Sequence, residues 1–297
     1  MIVKIKSIDL NNKSSQWIVL SLLALIWGSS FILMKKGLES YSDMQVAAFR
    51  IFISFMLLTP FVFQRLKRIK KENIKSLLIV GFIGNGIPAF LFTKAQTQVD
   101  SSIAGMLNSL TPLFALLIGL SFYKIKIRWL NILGITIGLV GAAGLILSNS
   151  SFNFRTDSLY PILIVVATLF YGISVNEIKQ KLPDIDAVTI IAIAFLFIGP
   201  LAGFYLFTSD FSFALSTDNY QINFFYVFIL AAFSSVIATI IFNALIKSTT
   251  ALFASSVTYL IPIVAILWGV LDGELISITQ VLFIVIILAG VYLVNKK

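Results

Sequence analysis

Arg50 and Asn108 are a guanidinium and a carboxamide, each set deep within a run of apolar side chains. A cation inside hydrocarbon costs roughly 2.5 kcal/mol or more unless it is paired or reaches water. Arg50 could therefore hold a solute carboxylate or phosphate by bidentate contact. The spacing favours a structural alternative, in which the side chain snorkels outward by a turn or two and pairs with Asp43 or Glu39. Asn108 either bonds a solute or ties two helices together, and both readings stand at this point. Ser109 and Thr111 are expected to bond carbonyls of their own helix. Lys94 near Asp100, and Lys35 with Lys36 near Glu39, read as interfacial anchors. Lys35 also shares a helical face with Phe31 and Leu38, which keeps it as a charged candidate beside Arg50 and Lys94.

Further polar tips punctuate the apolar runs: Trp27, Ser30, Asn85, Tyr171, Ser174, Asn176 and Tyr259, with Ser234, Ser235 and Asn243. Pockets are apolar with few placed polar groups, so about a third of such tips would face a solute and the rest would serve packing. The substrate-binding candidates are Trp27, Ser30, Asn85, Asn108, Tyr171, Ser174, Asn176 and Tyr259. Gly84, Gly86 and Pro88 flank Asn85 and predict a locally broken hinge in the third span. Pro112 and Pro262 are further hinge candidates in the fourth and ninth spans, Pro112 because it frees a carbonyl near mid-depth.

The chain has no His and no Cys. This removes Ser-His pairs, His-Glu-x-x-His zinc helices, thiol chemistry and disulfides together. Ser30 and Lys35 are five apart, about 140° around a helix, and make a poor dyad. No catalytic residue, metal site or cofactor is expected. An intramembrane enzyme and a non-transporting scaffold are the alternatives to transport; the first lacks a constellation, the second a large loop or docking surface.

The elements that position these residues are ten apolar stretches, each about long enough to cross a ~30 Å hydrocarbon core as a helix. They run over 17–34, 44–63, 74–92, 103–122, 129–147, 159–178, 187–207, 224–246, 252–271 and 278–294. Composition agrees: 59% of residues are hydrophobic, 12% are charged and the mean hydropathy is +0.99. The net charge of +9 sits in short loops beside the spans, which argues for topology rather than nucleic acid. The first span reads as a retained helix, since a long mixed segment precedes it and no small-residue cleavage site follows. Seventeen of the 22 Lys and Arg fall on the side of the N-terminal tail, six of them between Arg65 and Lys75, so the positive-inside rule predicts both termini in the cytoplasm. No Asp or Glu lies mid-span, the nearest being Glu177 at the end of the sixth, so a deep carboxylate proton relay is not expected.

Trp27-Gly28-Ser29-Ser30 with Lys35 and Leu38 recurs 144 residues later as Tyr171-Gly172-Ile173-Ser174 with Lys179 and Leu182. Leu110-Thr111-Pro112 with Ala115, Leu117 and Gly119 recurs at 150 as Leu260-Ile261-Pro262 with Ala265, Leu267 and Gly269. Five helices per half is an odd number, so the second half enters the membrane inverted relative to the first. The expected organisation is a tail at 1–16, repeats at 17–148 and 159–294 joined by 149–158, and a terminus at 295–297. Inverted halves are a common route to alternating access.

These features, together with Trp27 to Phe31 and Lys35, Arg50, the run from Ser102 to Pro112 and its copy around Ala254 to Pro262, resemble the EamA-type members of the drug/metabolite transporter superfamily. The resemblance implies an all-α polytopic fold of ten transmembrane helices, as two inverted five-helix repeats around a central cavity. It implies that helices one to four and six to nine line the cavity, with five and ten at the rim. It also implies export or exchange of small metabolites at the cytoplasmic (inner) membrane. The chain departs from the pattern after helix four, where Lys124 replaces the acidic residue that Glu274 supplies in the second copy. Expected partners are a small-molecule solute, such as an amino acid or related amphiphile, and the lipid bilayer. A homodimer through Gly134, Gly138 and Gly141 of helix five is possible by small-residue spacing, as is packing of those glycines within the monomer.

Overall fold

The computed structural model describes residues 12–66, 69–124, 128–147 and 159–295, and every regular element among them is helical. Lipid offers backbone groups no hydrogen-bond partner, and a helix satisfies them within the segment. Lys4, Lys6, Lys67, Arg68, Lys126, Arg155, Lys296, Lys297 and the connection 149–158 lie outside the described residues. We number the long helices α1 (Lys13–Leu38), α2 (Asp43–Arg65), α3 (Lys71–Ala95), α4 (Ser101–Tyr123) and α5 (Trp129–Leu147) in the first half. The second half holds α6 (Leu159–Lys181), α7 (Ala187–Thr208), α8 (Tyr220–Ser248), α9 (Phe253–Leu271) and α10 (Ile278–Asn295). Among the described residues nine helices are long and apolar enough to cross a membrane, and α10 supplies a shorter apolar one. The chain is a multi-pass membrane protein.

The rings of Trp17 and Phe253 meet at 5.9 Å, which puts the starts of α1 and α9 side by side. Lys35 meets Asp272 at 2.8 Å, which joins their other ends. Tyr259 bonds the carbonyl of Val291 and brings the end of α10 back beside the start of α9. We call the face with residues 12 and 295 the tail face and the opposite one the far face.

Helix α2 packs along α7, and α5 along α10. A Cβ at Gly290 of α10 would overlap the backbone of Gly134 and Gly138, so these glycines serve close approach within the chain. Helix α1 packs on the second half of α9, and α6 on the second half of α4. Gly28 and Gly172, 144 residues apart, occupy the tightest points of those two contacts, against Val264 and Ile261 in one and Phe114 and Ala115 in the other.

Four helices depart from regular α geometry, in pairs. α3 widens into a π segment at Ile79–Gly86 and α8 at Leu230–Ile237. The expected break around Gly84, Gly86 and Pro88 is therefore a continuous wide turn: a π segment leaves a carbonyl without its usual partner, and Asn85 Nδ2 donates to the carbonyl of Val80 at 2.8 Å. α4 tightens at Ser109 and Leu110, whose amides reach the carbonyls of Met106 and Leu107. Pro112 has no N–H for Asn108, and Thr111 Oγ1 donates to the Asn108 carbonyl instead, at 2.8 Å. Ser109 Oγ likewise donates to Met106. α9 makes the corresponding change as a 3-10 turn at Ser256–Tyr259, just before Pro262.

Candidate functional site

The irregular segments of α3, α4, α8 and α9 all border one buried cavity of about 110 Å³, lined from α1–α4 and α6–α9. No described residue of α5 or α10 lines it. Trp27, Phe31, Phe92, Tyr171 and Phe242 supply aromatic walls. Phe92 stacks on Tyr171 at 5.9 Å and 20°, and the rings of Trp27 and Phe242 meet edge to face at 4.9 Å. The indole of Trp27 is fixed by its N–H, which donates to the Ser234 carbonyl at 3.0 Å inside the α8 π segment. Thr239 Oγ1 donates to the same oxygen at 3.1 Å.

Toward the far face, Phe31 and Phe92 approach at 5.8 Å and Gln96 Nε2 donates to the Phe31 carbonyl at 3.0 Å. These groups stand between the cavity and a recess of about 650 Å³ that opens at the far face between Lys35, Asp43, Gln96, Tyr205 and Asp210.

Arg50 lines the cavity from α2. Its Nε donates to Ser235 Oγ at 2.6 Å, and the Tyr171 hydroxyl accepts from the same guanidinium. The expected pairing with Asp43 or Glu39 is not made, because Asp43 meets Lys94 at 3.5 Å and Glu39 meets Lys36 at 2.9 Å. The helix holds Arg50 two turns below its first residue, and both partners it finds there, on α6 and α8, are neutral. Among the described residues no carboxylate pairs with it.

The structure brings Trp27, Ser30, Asn85, Asn108, Tyr171 and Ser174 together with Arg50 around the cavity. The Asn108 carboxamide is nearly buried and borders the cavity from α4. Asn243 Nδ2, fully buried on α8, has no hydrogen-bond partner among the described residues and borders the same space. Thr258, 150 residues after Asn108, lines the same cavity. Ser235 and Asn243 were legible only as polar tips, and Thr258 was missed; its repeat distance from Asn108 is the signal that could have marked it. Gly84 lies where a Cβ would strike Ser174, which lets α3 and α6 touch at the cavity wall.

Four expected site residues lie elsewhere. Asn176 points away, its Nδ2 bonding the carbonyls of Ala115 at 2.7 Å and Gly172 at 2.8 Å. Tyr259 is occupied by Val291. Lys94 is an exposed end-of-helix cation beside Asp43. Lys35 belongs to a far-face ion cluster: its Nζ is 2.8 Å from Asp272 and 2.9 Å from Glu274, while Lys36 bridges Asp272 and Glu39. Ser30 donates to its own helix at Trp27, so no Ser-Lys dyad forms.

Glu274 anchors that cluster. It accepts from the Ser101 amide at 3.0 Å, the Ser101 hydroxyl at 2.6 Å and the Ser102 amide at 3.0 Å, which caps the start of α4 with a charge. Burial alone would raise its pKa, but the bonds from Ser101, Lys35 and Ser102 outweigh burial and hold it below the usual carboxylate range. Asp272 is likewise depressed: burial opposes ionisation, and Lys35 and Lys36 overcome it. Among the described residues no three His, Cys, Asp or Glu side chains gather as a metal site would need.

Fold and cavity together define an all-α polytopic membrane protein with a buried polar site among its helices. The model of the EamA-like transporter family matches residues 15–147 and 158–296, and the chain belongs to that family. It is 31% identical over 287 residues to the Escherichia coli K12 protein named "Uncharacterized inner membrane transporter YedA", covering 92% of this chain and 88% of that one. An "Uncharacterized transporter" of Archaeoglobus fulgidus is 25% identical over 95% of this chain and 99% of its own. "Protein PagO" of Salmonella typhimurium is 23% identical over 95% and 93%. A solved structure superimposes with a TM-score of 0.67 over 96% of this chain and 97% of its own at 14% identity, a likeness of fold alone. The chain is thus a membrane transporter.

Proposed function

We propose that this transporter moves small amphiphilic metabolites, amino acids and their relatives being the class, across the cytoplasmic membrane by alternating access, in the export direction and with both chain ends in the cytoplasm. The observation that carries the reading is the paired irregularity: π segments at Ile79–Gly86 and Leu230–Ile237, and tightened turns before Pro112 and Pro262, all bordering one cavity. The exchanged contacts, α1 on the end of α9 and α6 on the end of α4, support two inverted five-helix halves. Each half then presents a similar jaw to the opposite membrane face, and one jaw opens as the other shuts. The aromatic walls suit an apolar body, and the sparse polar groups suit one or two polar ends. Export follows the direction implied by the family resemblance, and the tail-side excess of Lys and Arg supports cytoplasmic ends.

The chain lacks cysteine, so single reporters are clean. Ile178 lines the cavity toward the tail face and Gln96 lines the far-face recess beyond it, so Ile178→Cys and Gln96→Cys report on the two sides. In proteoliposomes an amino acid that shows saturable counterflow should raise thiol labelling at one reporter and lower it at the other. Labelling that moves in the same direction at both, or chain ends found on different membrane faces, would overturn the mechanism.

A further inference from the structure

We infer that the transported solute is an organic monocarboxylate whose carboxylate is held by Arg50, with an α-amino group contributing little. The inference rests on the transport reading and names what its cavity recognises. Arg50 presents five N–H donors in a fixed fork, and the two partners it has, Ser235 and Tyr171, are neutral. A half-buried guanidinium that faces an enclosed cavity with no counter-ion lacks the charge that would balance it, and a carboxylate matches its planar fork with two parallel bonds.

The lining supports a single negative charge. Arg50 is the only Lys or Arg among the cavity's described lining residues, so a phosphate monoester, which carries nearly two charges at neutral pH, would exceed the charge available. Among the described residues no Asp or Glu lines the cavity either, and the nearest carboxylate by sequence position, Glu177, accepts from Ser76 Oγ at 2.6 Å and from Tyr123 outside it. An ammonium entering the cavity would thus meet no counter-ion. Asn108 and the buried, unpartnered Nδ2 of Asn243 supply neutral hydrogen bonds for a second polar group. The remaining walls are aromatic or aliphatic.

The test is competition binding with purified wild-type protein, read as ligand-induced thermal stabilisation, using four probes with the same branched five-carbon body. These are leucine, its deaminated acid 4-methylpentanoate, the amine 3-methylbutylamine and the phosphate monoester 3-methylbutyl phosphate. The expected order places 4-methylpentanoate at or above leucine, with the amine and the phosphate at least tenfold weaker. Arg50→Gln should lose tenfold or more for the acid, and Arg50→Lys should recover part of that loss. Asn243→Ala provides an independent variant expected to weaken the acid severalfold while leaving the acid-over-amine preference in place. An amine or phosphate that binds as well as the acid, or an acid whose affinity ignores Arg50→Gln, overturns the carboxylate site. In either case saturable counterflow of another solute leaves the transport reading standing. No stabilisation by any probe, with no counterflow of any amino acid or organic acid, would end both.

Discussion

At the far face the repeat's lysine is tied to carboxylates, whereas at the tail face the lysine in the matching position is tied to backbone carbonyls, and the carboxylate there, Glu177, is held by the hydroxyls of Ser76 and Tyr123 instead. At the far face Lys35 reaches Glu274 and Asp272, and Glu274 in turn caps α4 through Ser101 and Ser102. Lys179, 144 residues after Lys35, pairs with no acid among the described residues: its Nζ donates to the carbonyls of Ile246 at 3.0 Å, Lys247 at 3.2 Å and Thr249. The acid's counterpart, 150 residues before Glu274, is Lys124, which takes a left-handed conformation with φ 53° at the end of α4. Lys247 repeats the pattern, donating to carbonyls at Leu182, Pro183 and Ile185. A carboxylate that bridges a lysine and a helix start fastens three helices at one point through an ion pair, whereas the lysine–carbonyl contacts of the tail face fasten helices pairwise and its three-helix tie, Glu177 with Ser76 and Tyr123, has no cation in it. We therefore expect the far-face jaw to be the harder of the two to open.

The largest test of that contrast is Glu274→Ala. It leaves the Lys35 ammonium short of one of its two carboxylates and removes the acceptor for the Ser101 and Ser102 amides. Glu274 is buried but Lys35 is about a third exposed, so breaking the pair from the acid's side should cost about 1 to 3 kcal/mol, between an exposed and a buried pair. Thermal unfolding in detergent should fall accordingly, and labelling of Gln96→Cys from the far face should rise. An unchanged melting temperature would show that the ion cluster does not hold this face.

Acid should reach the same cluster without a mutation. Glu274 and Asp272 have depressed pKa values in the folded protein, so their contribution is fully present above the ordinary carboxylate range of about 4 and is lost as pH falls through their lower folded values. Lys35 and Lys36 stay charged throughout that window. Far-face labelling, normalised to a fully exposed reference cysteine at the same pH, should be flat between neutral pH and about 5 and increase below about 4. In Glu274→Gln the acid-dependent rise should be smaller, since Asp272 alone would remain to titrate. A rise centred near neutrality would assign the opening to some other group.

The two faces also differ in how far sequence could reach them. The spans, the repeat distances and the departure at Lys124 were all legible, because hydrophobic length and self-similarity are carried by residue type alone. Six of the eight proposed substrate contacts do border the cavity. Asn176 and Tyr259 do not, because these helices are apolar nearly all round and periodicity no longer says which side of a helix meets a partner. Arg50 was misread for a related reason. Snorkelling toward Asp43 assumes a path to the interface, while Tyr171 and Ser235 come from helices more than a hundred residues away. The Gly-Asn-Gly segment of α3 signalled an irregularity whose π form depended on where Asn85 could donate, and its counterpart in α8 carries no glycine at all.

Restoring the acid where the first copy lacks it gives the smallest expected effect and the sharpest one. In Lys124→Glu the new carboxylate stands at the position that Glu274 holds in the second copy, with Lys179 as the matching cation. The lysine's present acceptors are carbonyls, so an ion pair would add to contacts already made. A partly exposed pair of this kind contributes about 1 kcal/mol or less. That is too little to dominate a melting curve, but about 1 kcal/mol shifts a two-state equilibrium severalfold. Labelling of Ile178→Cys from the tail face should therefore drop severalfold in Lys124→Glu, while labelling of Gln96→Cys from the far face should rise as the population shifts toward far-open. The rise should vanish when Lys179→Gln is added. Equal labelling with and without Lys179 would mean that the two faces are not latched by related parts, and the contrast between them would then reflect loop composition alone.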